Sequence, residues 1–434
     1  MPPVSGAQAG FVNTLAEACF MKSTAYMKAL CLAGRIILEN GGETYRAEDT
    51  VLRMARALGL RDADVFAIPS GLFLSFTDEN GEHRTSISRV YLRGINLSRV
   101  NRVNEISRAL SQGSLSPEEL LPRLREAECL GSTQPLWYAP LMAFITSAAF
   151  AVMFGGGLLE MLLGGFCGAL TQLLPRILPA RDASAGMSGT LLSSVFCALI
   201  PLTFRALTGL CATEVVIAAS IMPLVPGLSM TNAVQDILRG DMVSGVAHCA
   251  RAIMIAAMVA GGALVGTHLA DAMGLMAQST MPASALPFTV QAVLAFVSSM
   301  VAGVGFGALL SAPRKAIVWS AFLGAAGYLA YWLCLQGGLA ETAAMFLGAL
   351  LASIGTQIAA RRFKMIATVF VTIAILPMVP GLGLYRAMSA LAQGALSTGG
   401  AIAAHTMALI LMISLGIALG STLADIRRRK VGKG

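Results

Sequence analysis

The sequence has few charged residues, few aromatic residues and only four histidines, and these scarcities exclude several classes of protein. Only 12% of the 434 residues are charged, whereas a soluble globular domain carries about 25%. Together with 56% hydrophobic residues, the low charge excludes a soluble enzyme with one large core and predicts a polytopic membrane protein. Aromatic residues make up 6% of the chain and interleave with no basic stripe, so nucleic acid is not an expected partner.

The sequence lacks the motifs that are typical of several kinds of chemistry. The eight cysteines form no C-x-x-C pair, and no histidine lies near them at zinc spacing, so neither a disulfide framework nor a metal site is predicted. The sequence also has no Walker motif, no dinucleotide fingerprint and no nucleophile loop with a matching triad. We therefore expect no cofactor, no catalytic residue and no ATP-driven step within this chain.

The charged residues that are present divide the chain into two parts. Residues 1–136 hold 15 Lys/Arg and 15 Asp/Glu, whereas residues 137–434 hold 16 and 8. In the first part, stretches with helical spacing flank the alternating Leu72, Leu74 and Phe76 and a turn at 78–81, which predicts a small α+β domain over residues 1–136. Because its start lacks the pattern of a secretory signal, this domain is expected in the cytoplasm.

The second part consists of apolar runs separated by short basic segments. About ten runs reach the roughly 20 residues that a membrane-spanning helix needs; they lie near 138–154, 158–174, 187–204, 212–230, 243–270, 287–310, 316–335, 339–359, 365–384 and 399–423. With a cytoplasmic head, 13 Lys/Arg fall on the inner side and only Arg205 and Arg386 on the outer side. This asymmetry follows the positive-inside rule. It predicts ten spans in contact with membrane lipids, with both termini cytoplasmic.

The apolar part also contains an internal repeat. Residues 221–271 match residues 375–425 without a gap, with 17 identities in 51 positions, where chance matching at roughly one position in ten gives about five. The sequence therefore predicts two five-helix halves, 137–272 and 286–425, followed by a basic tail at 426–434. Because five is odd, the second half enters the membrane from the opposite side, an inverted repeat typical of alternating-access transporters.

The strongest element of the repeat is a P-x-V-P-G motif. Two prolines and a glycine within five residues should break the fourth helix of each half, and exposed backbone at membrane depth is tolerated where it lines a cavity. One interpretation places both breaks at a substrate cavity; the alternative is that they are packing kinks or helix ends. The residues concerned are Pro223, Pro226, Gly227, Pro377, Pro380 and Gly381.

The chain resembles a known family over nearly its whole length. Residues 38–60, which contain Gly-Gly-Glu-Thr-Tyr-Arg, resemble the signature of the threonine/serine exporter family, and Arg89-Val90, residues 93–97 and the doubled P-x-V-P-G agree with it. The resemblance implies amino-acid efflux across a bacterial inner membrane, with protons as the driving partner. It also implies that some members have separate half subunits, and that a two-subunit relative exports dicarboxylates such as succinate.

Two further residues are paired by the repeat. Arg251 and His405 occupy equivalent positions, both inside apolar runs. An arginine suits a substrate carboxylate, and a histidine titrates near neutral pH and is able to pass a coupling proton. The alternative is that Arg251 extends to the membrane surface and His405 packs between helices.

The remaining polar candidates have structural alternatives as well. Glu160 lies near the outer end of the second run, and Asp236 follows the first break; ionisable groups in membrane segments are functional candidates. In the head, the turn of Asn40, Gly41, Gly42, Glu43 and Thr44 is interpreted either as a cytoplasmic gate or substrate-capture loop, or as a helix C-cap followed by a new helix.

The combined prediction is a secondary active exporter of small polar metabolites, with threonine and serine as first candidates. A dicarboxylate exporter is the main alternative, followed by a membrane-embedded enzyme and a passive channel. A homo-oligomer is compatible with the sequence.

Overall fold

The computed structural model describes residues 6–78, 80–91, 94–131, 134–177, 184–275 and 286–431. The chain divides into a head unit, residues 1–133 with 239–244, and a body unit, residues 134–238 with 245–434. The body is not divided further, so the two predicted halves stay a prediction. Among the residues that support the sequence predictions, Arg93, Arg181 and Lys433 lie outside the described residues.

The head unit combines helices with a small sheet. Its elements are α1 (Gly6–Glu39), α2 (Thr44–Ala57), β1 (Arg61–Ile68), β2 (Gly71–Thr77), β3 (His83–Arg89), α3 (Leu97–Ser111), a 3-10 turn (Pro117–Glu119) and α4 (Leu120–Cys129). The three strands form an antiparallel sheet in the order β1-β2-β3. Leu72, Leu74 and Phe76 of β2 are fully buried on one face, because side chains two residues apart point to the same side of a strand.

A buried ion pair fixes the β2–β3 turn. The Asp78 carboxylate accepts a hydrogen bond from Arg84 Nε at 2.8 Å and from the backbone N–H groups of Asn80 and Glu82 at 3.0 Å each. The Arg84 hydrogen bond holds the pKa of Asp78 below its usual range, against the opposing effect of burial. The turn is thus stabilised by the ionised form of Asp78.

The described residues of the body unit form helices and 3-10 turns joined by short connections, with no strand among them. Its elements are α5 (Tyr138–Met153), α6 (Leu158–Ile177), α7 (Ser184–Thr208), α8 (Thr213–Ile221), a 3-10 turn (Met222–Leu224), α9 (Gly227–Leu238), α10 (Met242–Ala272), α11 (Phe288–Leu309), α12 (Arg314–Gln336), α13 (Glu341–Arg362), α14 (Ala367–Ile375), a 3-10 turn (Leu376–Met378), α15 (Gly381–Ala392) and α16 (Leu396–Val431). The first residues of α10 belong to the head unit.

Many of these helices are long and apolar enough to cross a membrane. Seven of the described helices meet this requirement, and the number rises to nine if each of two bent pairs, α8 with α9 and α14 with α15, is one span. Helix α5 is apolar but has only 16 residues. The structure confirms a polytopic α-helical membrane protein, while the count of ten spans stays a prediction.

The sequence repeat is reflected in the secondary structure and in the helix packing. The first broken helix, α8 with its 3-10 turn and α9, has a counterpart in α14 with its 3-10 turn and α15. Every boundary in the second set lies 154 residues after its equivalent in the first. The paired glycines also pack alike: a Cβ on Gly262 would lie 2.4 Å from the Leu191 carbonyl oxygen in α7, and one on Gly416 would lie 2.9 Å from the Phe346 carbonyl oxygen in α13. Small residues allow such close helix contacts in lipid.

Candidate functional site

The first P-x-V-P-G motif leads the chain out of one helix and into another. Pro223 lies in the 3-10 turn that continues α8, and Val225 has an extended backbone with ψ 129°, because a following proline disfavours the helical region. Gly227 begins α9, and its N–H donates a hydrogen bond to the Val225 carbonyl across Pro226 at 2.8 Å. As a result, α8 and α9 meet at a bend of 56°.

The second motif repeats this geometry. Pro377 lies in the 3-10 turn, Val379 is extended with ψ 127°, and the Gly381 N–H donates to the Val379 carbonyl across Pro380 at 2.7 Å. Helices α14 and α15 are also bent by 56°. The prediction that each motif breaks its helix is confirmed, and the prediction that the breaks line a substrate cavity stays a prediction.

The two breaks contact each other within the body unit. A Cβ built on Gly227 would lie 2.6 Å from Cγ1 of Val379, and one built on Gly381 would lie 2.9 Å from Cγ1 of Val225. Each glycine therefore provides the space that the valine of the other motif occupies. The contact is reciprocal, and it brings the starts of α9 and α15 together.

The repeat-related Arg251 and His405 have different surroundings. Arg251 is exposed on α10, one turn after His248, whose Nε2 lies 3.8 Å from Oδ2 of the buried Asp236. His405 is also exposed, but its Nε2 lies 2.8 Å from Oε2 of Glu341 on α13. The histidine therefore has a carboxylate partner from another helix, which the sequence alone did not identify.

Glu341 also connects to a third side chain. The Tyr331 hydroxyl of α12 donates a hydrogen bond to Oε1 of Glu341 at 3.2 Å. Helices α12, α13 and α16 thus contribute one residue each to a hydrogen-bonded group of Tyr331, Glu341 and His405. A histidine and a carboxylate in such contact are able to exchange a proton.

Glu160 is held by backbone donors. Its carboxylate accepts hydrogen bonds from the N–H groups of Gly157 and Ala212, both at 2.9 Å, and the side chain is buried. The bond to Gly157 caps the start of α6 in the manner of a capping box, and the bond to Ala212 fixes the connection between α7 and α8. Both contacts give this residue a structural role, and its predicted place in a cavity stays a prediction.

In the head unit, the predicted gate or capture loop closes the end of α1. Gly41 has φ +83°, and the Gly42 N–H donates to the Ile37 carbonyl at 2.9 Å, while the Asn40 carbonyl accepts from the Asn96 N–H at 3.3 Å. A glycine with positive φ directly after a helix is a typical C-cap. The helix-cap interpretation therefore explains the backbone of this turn.

The side chains of the next two residues in the chain, Glu43 and Thr44, are buried. Glu43 is 4% exposed and accepts a hydrogen bond from Arg46 Nε at 2.5 Å, and Thr44 is 1% exposed. Next to them, the Arg239 guanidinium lies over the ring of Tyr45, 3.7 Å from the ring centroid, in a cation–π contact. Whether residues 40–44 also act as a gate or capture loop stays a prediction.

The sequence interpretation missed two polar residues that follow the first break. Asn232 and Gln235 lie on α9 and are each 9% exposed. Their spacing of three residues, directly after the motif, is the signal that was available. Among the residues that the structure describes, no group of three or more His, Cys, Asp or Glu side chains could hold a metal ion.

Comparison with known proteins agrees with these features. A family model described as "Putative threonine/serine exporter" matches residues 28–270, and a second, "Threonine/Serine exporter, ThrE", matches residues 295–423. The chain is similar to the "Threonine/serine exporter" of Corynebacterium glutamicum, with 25% identity over 416 residues, 91% of this chain and 82% of that protein. No solved structure matches the chain.

A second group of relatives matches about half of the chain. The "Probable succinate transporter subunit YjjP" of Escherichia coli (strain K12) is 26% identical over 227 residues, 52% of this chain and 88% of that protein. The apolar helices and these similarities define the protein class as a polytopic membrane transporter. The chain belongs to the threonine/serine exporter family, because one family model alone matches more than half of it.

Proposed function

We propose that this chain is a secondary active exporter that moves threonine and serine out of the bacterial cytoplasm, driven by the proton gradient. The proposal depends mainly on the reciprocal contact of Gly227 with Val379 and of Gly381 with Val225, in a chain that belongs to the threonine/serine exporter family. In secondary transporters, broken helices from two repeats meet at the substrate site. The same arrangement is proposed here.

The transport cycle is alternating access between two inverted halves. Residues 137–272 and 286–425 form five spans each, and the cavity opens next to Pro223, Pro226 and Gly227 on one side and Pro377, Pro380 and Gly381 on the other. In the conformation described here the valines fill the space between the two breaks. Opening therefore requires that the two Gly–Val contacts separate, first towards one side of the membrane and then towards the other.

Two side chains are proposed to handle charge. Arg251 binds the substrate carboxylate, since a guanidinium is always charged and donates two parallel hydrogen bonds. His405, with Glu341 at 2.8 Å, takes up and releases the coupling proton. Arg251→Ala should weaken substrate affinity, and Arg251→Lys should restore it only in part, because the lysine ammonium lacks the forked geometry of the guanidinium.

The proposed topology has both termini in the cytoplasm. Single cysteines introduced at Met273 and Leu339 in a cysteine-free background should react with a membrane-impermeant thiol reagent added to intact cells. A cysteine at Gly434 should react only after the membrane is permeabilised. Labelling at Gly434 in intact cells would contradict the arrangement of ten spans and with it the inverted repeat.

Transport itself is tested with purified protein in proteoliposomes. Labelled threonine and serine should accumulate against their gradients when a proton gradient is imposed, and the accumulation should collapse when a protonophore is added. Accumulation also separates an exporter from a passive channel, which only equilibrates its substrate. Threonine uptake that does not depend on the proton gradient would contradict the proposed coupling.

A dicarboxylate exporter is the second candidate function. It is favoured by the similarity of about half of the chain to a "Probable succinate transporter subunit". Labelled succinate in the same proteoliposomes distinguishes the two candidates. We expect succinate accumulation to be small beside that of threonine, whereas the reverse order would favour the second candidate.

A further inference from the structure

Helix α9 is a short helix with an unusual number of buried polar side chains. It follows the first break and packs against α16; Met230 is buried in an apolar cluster, and Ala233 is buried as well. Four of its twelve residues are polar and at least 91% buried: Thr231, Asn232, Gln235 and Asp236. Polar groups are costly inside a membrane protein, so such a concentration indicates a functional surface.

These four side chains differ in how their hydrogen-bonding groups are used. The Thr231 hydroxyl donates to the Gly227 carbonyl at 3.0 Å, and Asp236 has His248 at 3.8 Å. The amides of Asn232 and Gln235 make no hydrogen bond to any residue in the described part of the chain. A primary amide offers two donors and an acceptor oxygen, and neither of these amides is among the fully buried polar atoms without a partner, so each keeps accessible surface that a ligand is able to contact.

The helix geometry places the two amides and the carboxylate on one side of α9. Positions three and four apart lie on the same helix face, and Asn232 precedes Gln235 by three residues and Asp236 by four. At about 1.5 Å of rise per residue, the three side chains cover about 6 Å along the helix axis. This length is comparable to that of a small amino acid.

The chemistry of this face matches a zwitterion with a hydroxyl group. A carboxylate attracts a substrate ammonium group, and an amide is able both to donate to and accept from a substrate hydroxyl. A dicarboxylate has no ammonium group and would instead meet the like charge of Asp236. The equivalent positions of the second half are Arg386, Ser389 and Ala390, so this combination occurs only in the first half.

We infer that Asn232, Gln235 and Asp236 form the face of the substrate site that recognises the ammonium and hydroxyl groups of a hydroxy amino acid. The inference rests on the proposed export function and names its recognition surface. Asp236 binds the ammonium group, and the two amides bind the side-chain hydroxyl. Arg251, proposed above for the carboxylate, lies one turn beyond the histidine that neighbours Asp236.

The test compares substrates with and without the hydroxyl group. Full-length protein in proteoliposomes is assayed for exchange of labelled threonine against 2-aminobutyrate, which lacks only the hydroxyl. Asn232→Leu and Gln235→Met keep the approximate side-chain volume and remove the amide. Each should lower the preference for threonine by about fivefold, the size of one lost hydrogen bond, and Asp236→Asn should raise the half-saturation concentration for both substrates by about tenfold or more.

A matched variant controls for general effects of the exchange. Gln291→Met makes the same replacement at the start of α11, where the amide donates to the Leu286 carbonyl, and it should leave the threonine preference unchanged. A second measurement is independent of transport rate and keeps both amides: in a cysteine-free background, threonine should slow alkylation of Ser229→Cys, which lies one turn before Asn232 on the same face of α9, and 2-aminobutyrate should slow it less. Protection by threonine with the stated preference supports the inference even if the other variants insert poorly.

The outcomes separate this inference from the proposed function. If the unmodified protein exchanges threonine but Asn232→Leu and Gln235→Met retain its preference and affinity within twofold, the recognition face is wrong and the export function stands. An equal loss of preference in Gln291→Met would likewise overturn the recognition face. If the unmodified protein exchanges succinate and neither threonine nor serine, the proposed function itself fails.

Discussion

Gly227 and Val379 lie 152 residues apart in the chain, yet they meet at the centre of the contact between the two helix breaks. A Cβ on Gly227 would lie 2.6 Å from Cγ1 of Val379, closer than two carbon atoms tolerate. The repeat-related pair, Gly381 with Val225, shows the same relationship at 2.9 Å. The two motifs therefore fit each other, in addition to breaking their own helices.

This fit predicts a specific loss of function. Gly227→Ala should force Val379 and its backbone away from the first break, at a cost of about 1–3 kcal/mol for an overpacked contact. Threonine accumulation in proteoliposomes should fall while membrane insertion is retained. The variant Gly261→Ala is the matched control, because a Cβ at Gly261 meets no atom within 4 Å.

A second substitution should reverse the effect only at the correct partner. Adding Val379→Ala to Gly227→Ala removes the closest atom, Cγ1, and leaves the Cβ at 3.2 Å, so transport should be restored in large part, because residues in direct contact show coupled effects. Adding Val225→Ala instead leaves the clash in place and should not restore it. Equal rescue by both second substitutions would contradict the direct Gly–Val contact.

The hydrogen bond between His405 and Glu341 predicts how transport depends on pH. If the two side chains hold the coupling proton together, His405→Gln and Glu341→Gln should each flatten the pH dependence of threonine accumulation. The double variant should add nothing further, because residues that act as one unit are not additive. Downhill exchange of threonine should continue in all three variants, since exchange requires no net proton movement.

The control for this prediction is another histidine of the body unit. His268 is exposed on α10, and His268→Gln should leave the pH profile unchanged. A normal, steep profile in both His405→Gln and Glu341→Gln would show that the proton is carried elsewhere, and Glu160 would then be tested first.

For Glu160 we expect a loss of stability and little change in coupling. In Glu160→Gln, the amide oxygen still accepts one hydrogen bond, but an N–H group replaces the acceptor for the second donor, either Gly157 or Ala212. One unsatisfied buried donor costs about 1–3 kcal/mol, so the thermal unfolding temperature in detergent should fall. Glu214→Gln, at an exposed position at the start of α8, should have a smaller effect; a changed pH profile at unchanged stability would instead support a role for Glu160 in the cavity.

The head unit should lose stability in acid through Asp78. The Arg84 hydrogen bond keeps the pKa of Asp78 below its value in the unfolded chain, so the ionised carboxylate stabilises the fold at neutral pH. This contribution decreases as the pH falls towards and through the folded-state pKa, where Asp78 becomes protonated. The protection of the β2–β3 turn against hydrogen exchange, measured in the full chain relative to the intrinsic exchange rate at the same pH, should therefore decrease in acid.

The variant Asp78→Asn separates this effect from other titrations. It removes a charge-assisted hydrogen bond worth about 1.5–3 kcal/mol, so the turn should exchange faster at neutral pH and lose much of its dependence on acid. Glu82→Gln is a suitable control, because its carboxylate pairs with Arg84 only at the surface. An unchanged exchange rate in Asp78→Asn would contradict the proposed stabilisation.

Much of the architecture was predictable from local sequence signals. Low charge and long apolar runs predict membrane helices, because a span needs enough apolar length whatever its neighbours are. Pro223 and Pro377 predict broken helices, since a proline removes a backbone donor and clashes with the preceding turn at any position. The alternation around Leu74 similarly predicts β2, because its period is a property of the strand itself.

The partners of individual side chains were not predictable in this way. The internal repeat paired Arg251 with His405 by position, but the structure gives His405 a carboxylate partner, Glu341, from another helix. Likewise, Glu160 was a candidate for the cavity because it is ionisable, and only the backbone donors of Gly157 and Ala212 reveal its capping role. Such contacts depend on how helices far apart in sequence are packed.

Local sequence signals were enough to indicate a membrane protein with a repeated motif that breaks two helices, because these properties follow from composition, periodicity and local backbone sterics. The threonine/serine exporter family was indicated instead by the resemblance of residues 38–60 and of the doubled motif to that family. The three-dimensional packing was needed to show that the two breaks contact each other, with Gly227 against Val379, and that Asn232 and Gln235 are largely buried on α9 without hydrogen-bond partners in the described part of the chain. The physical reason is that burial and close packing are set by contacts between distant segments, which no local pattern specifies.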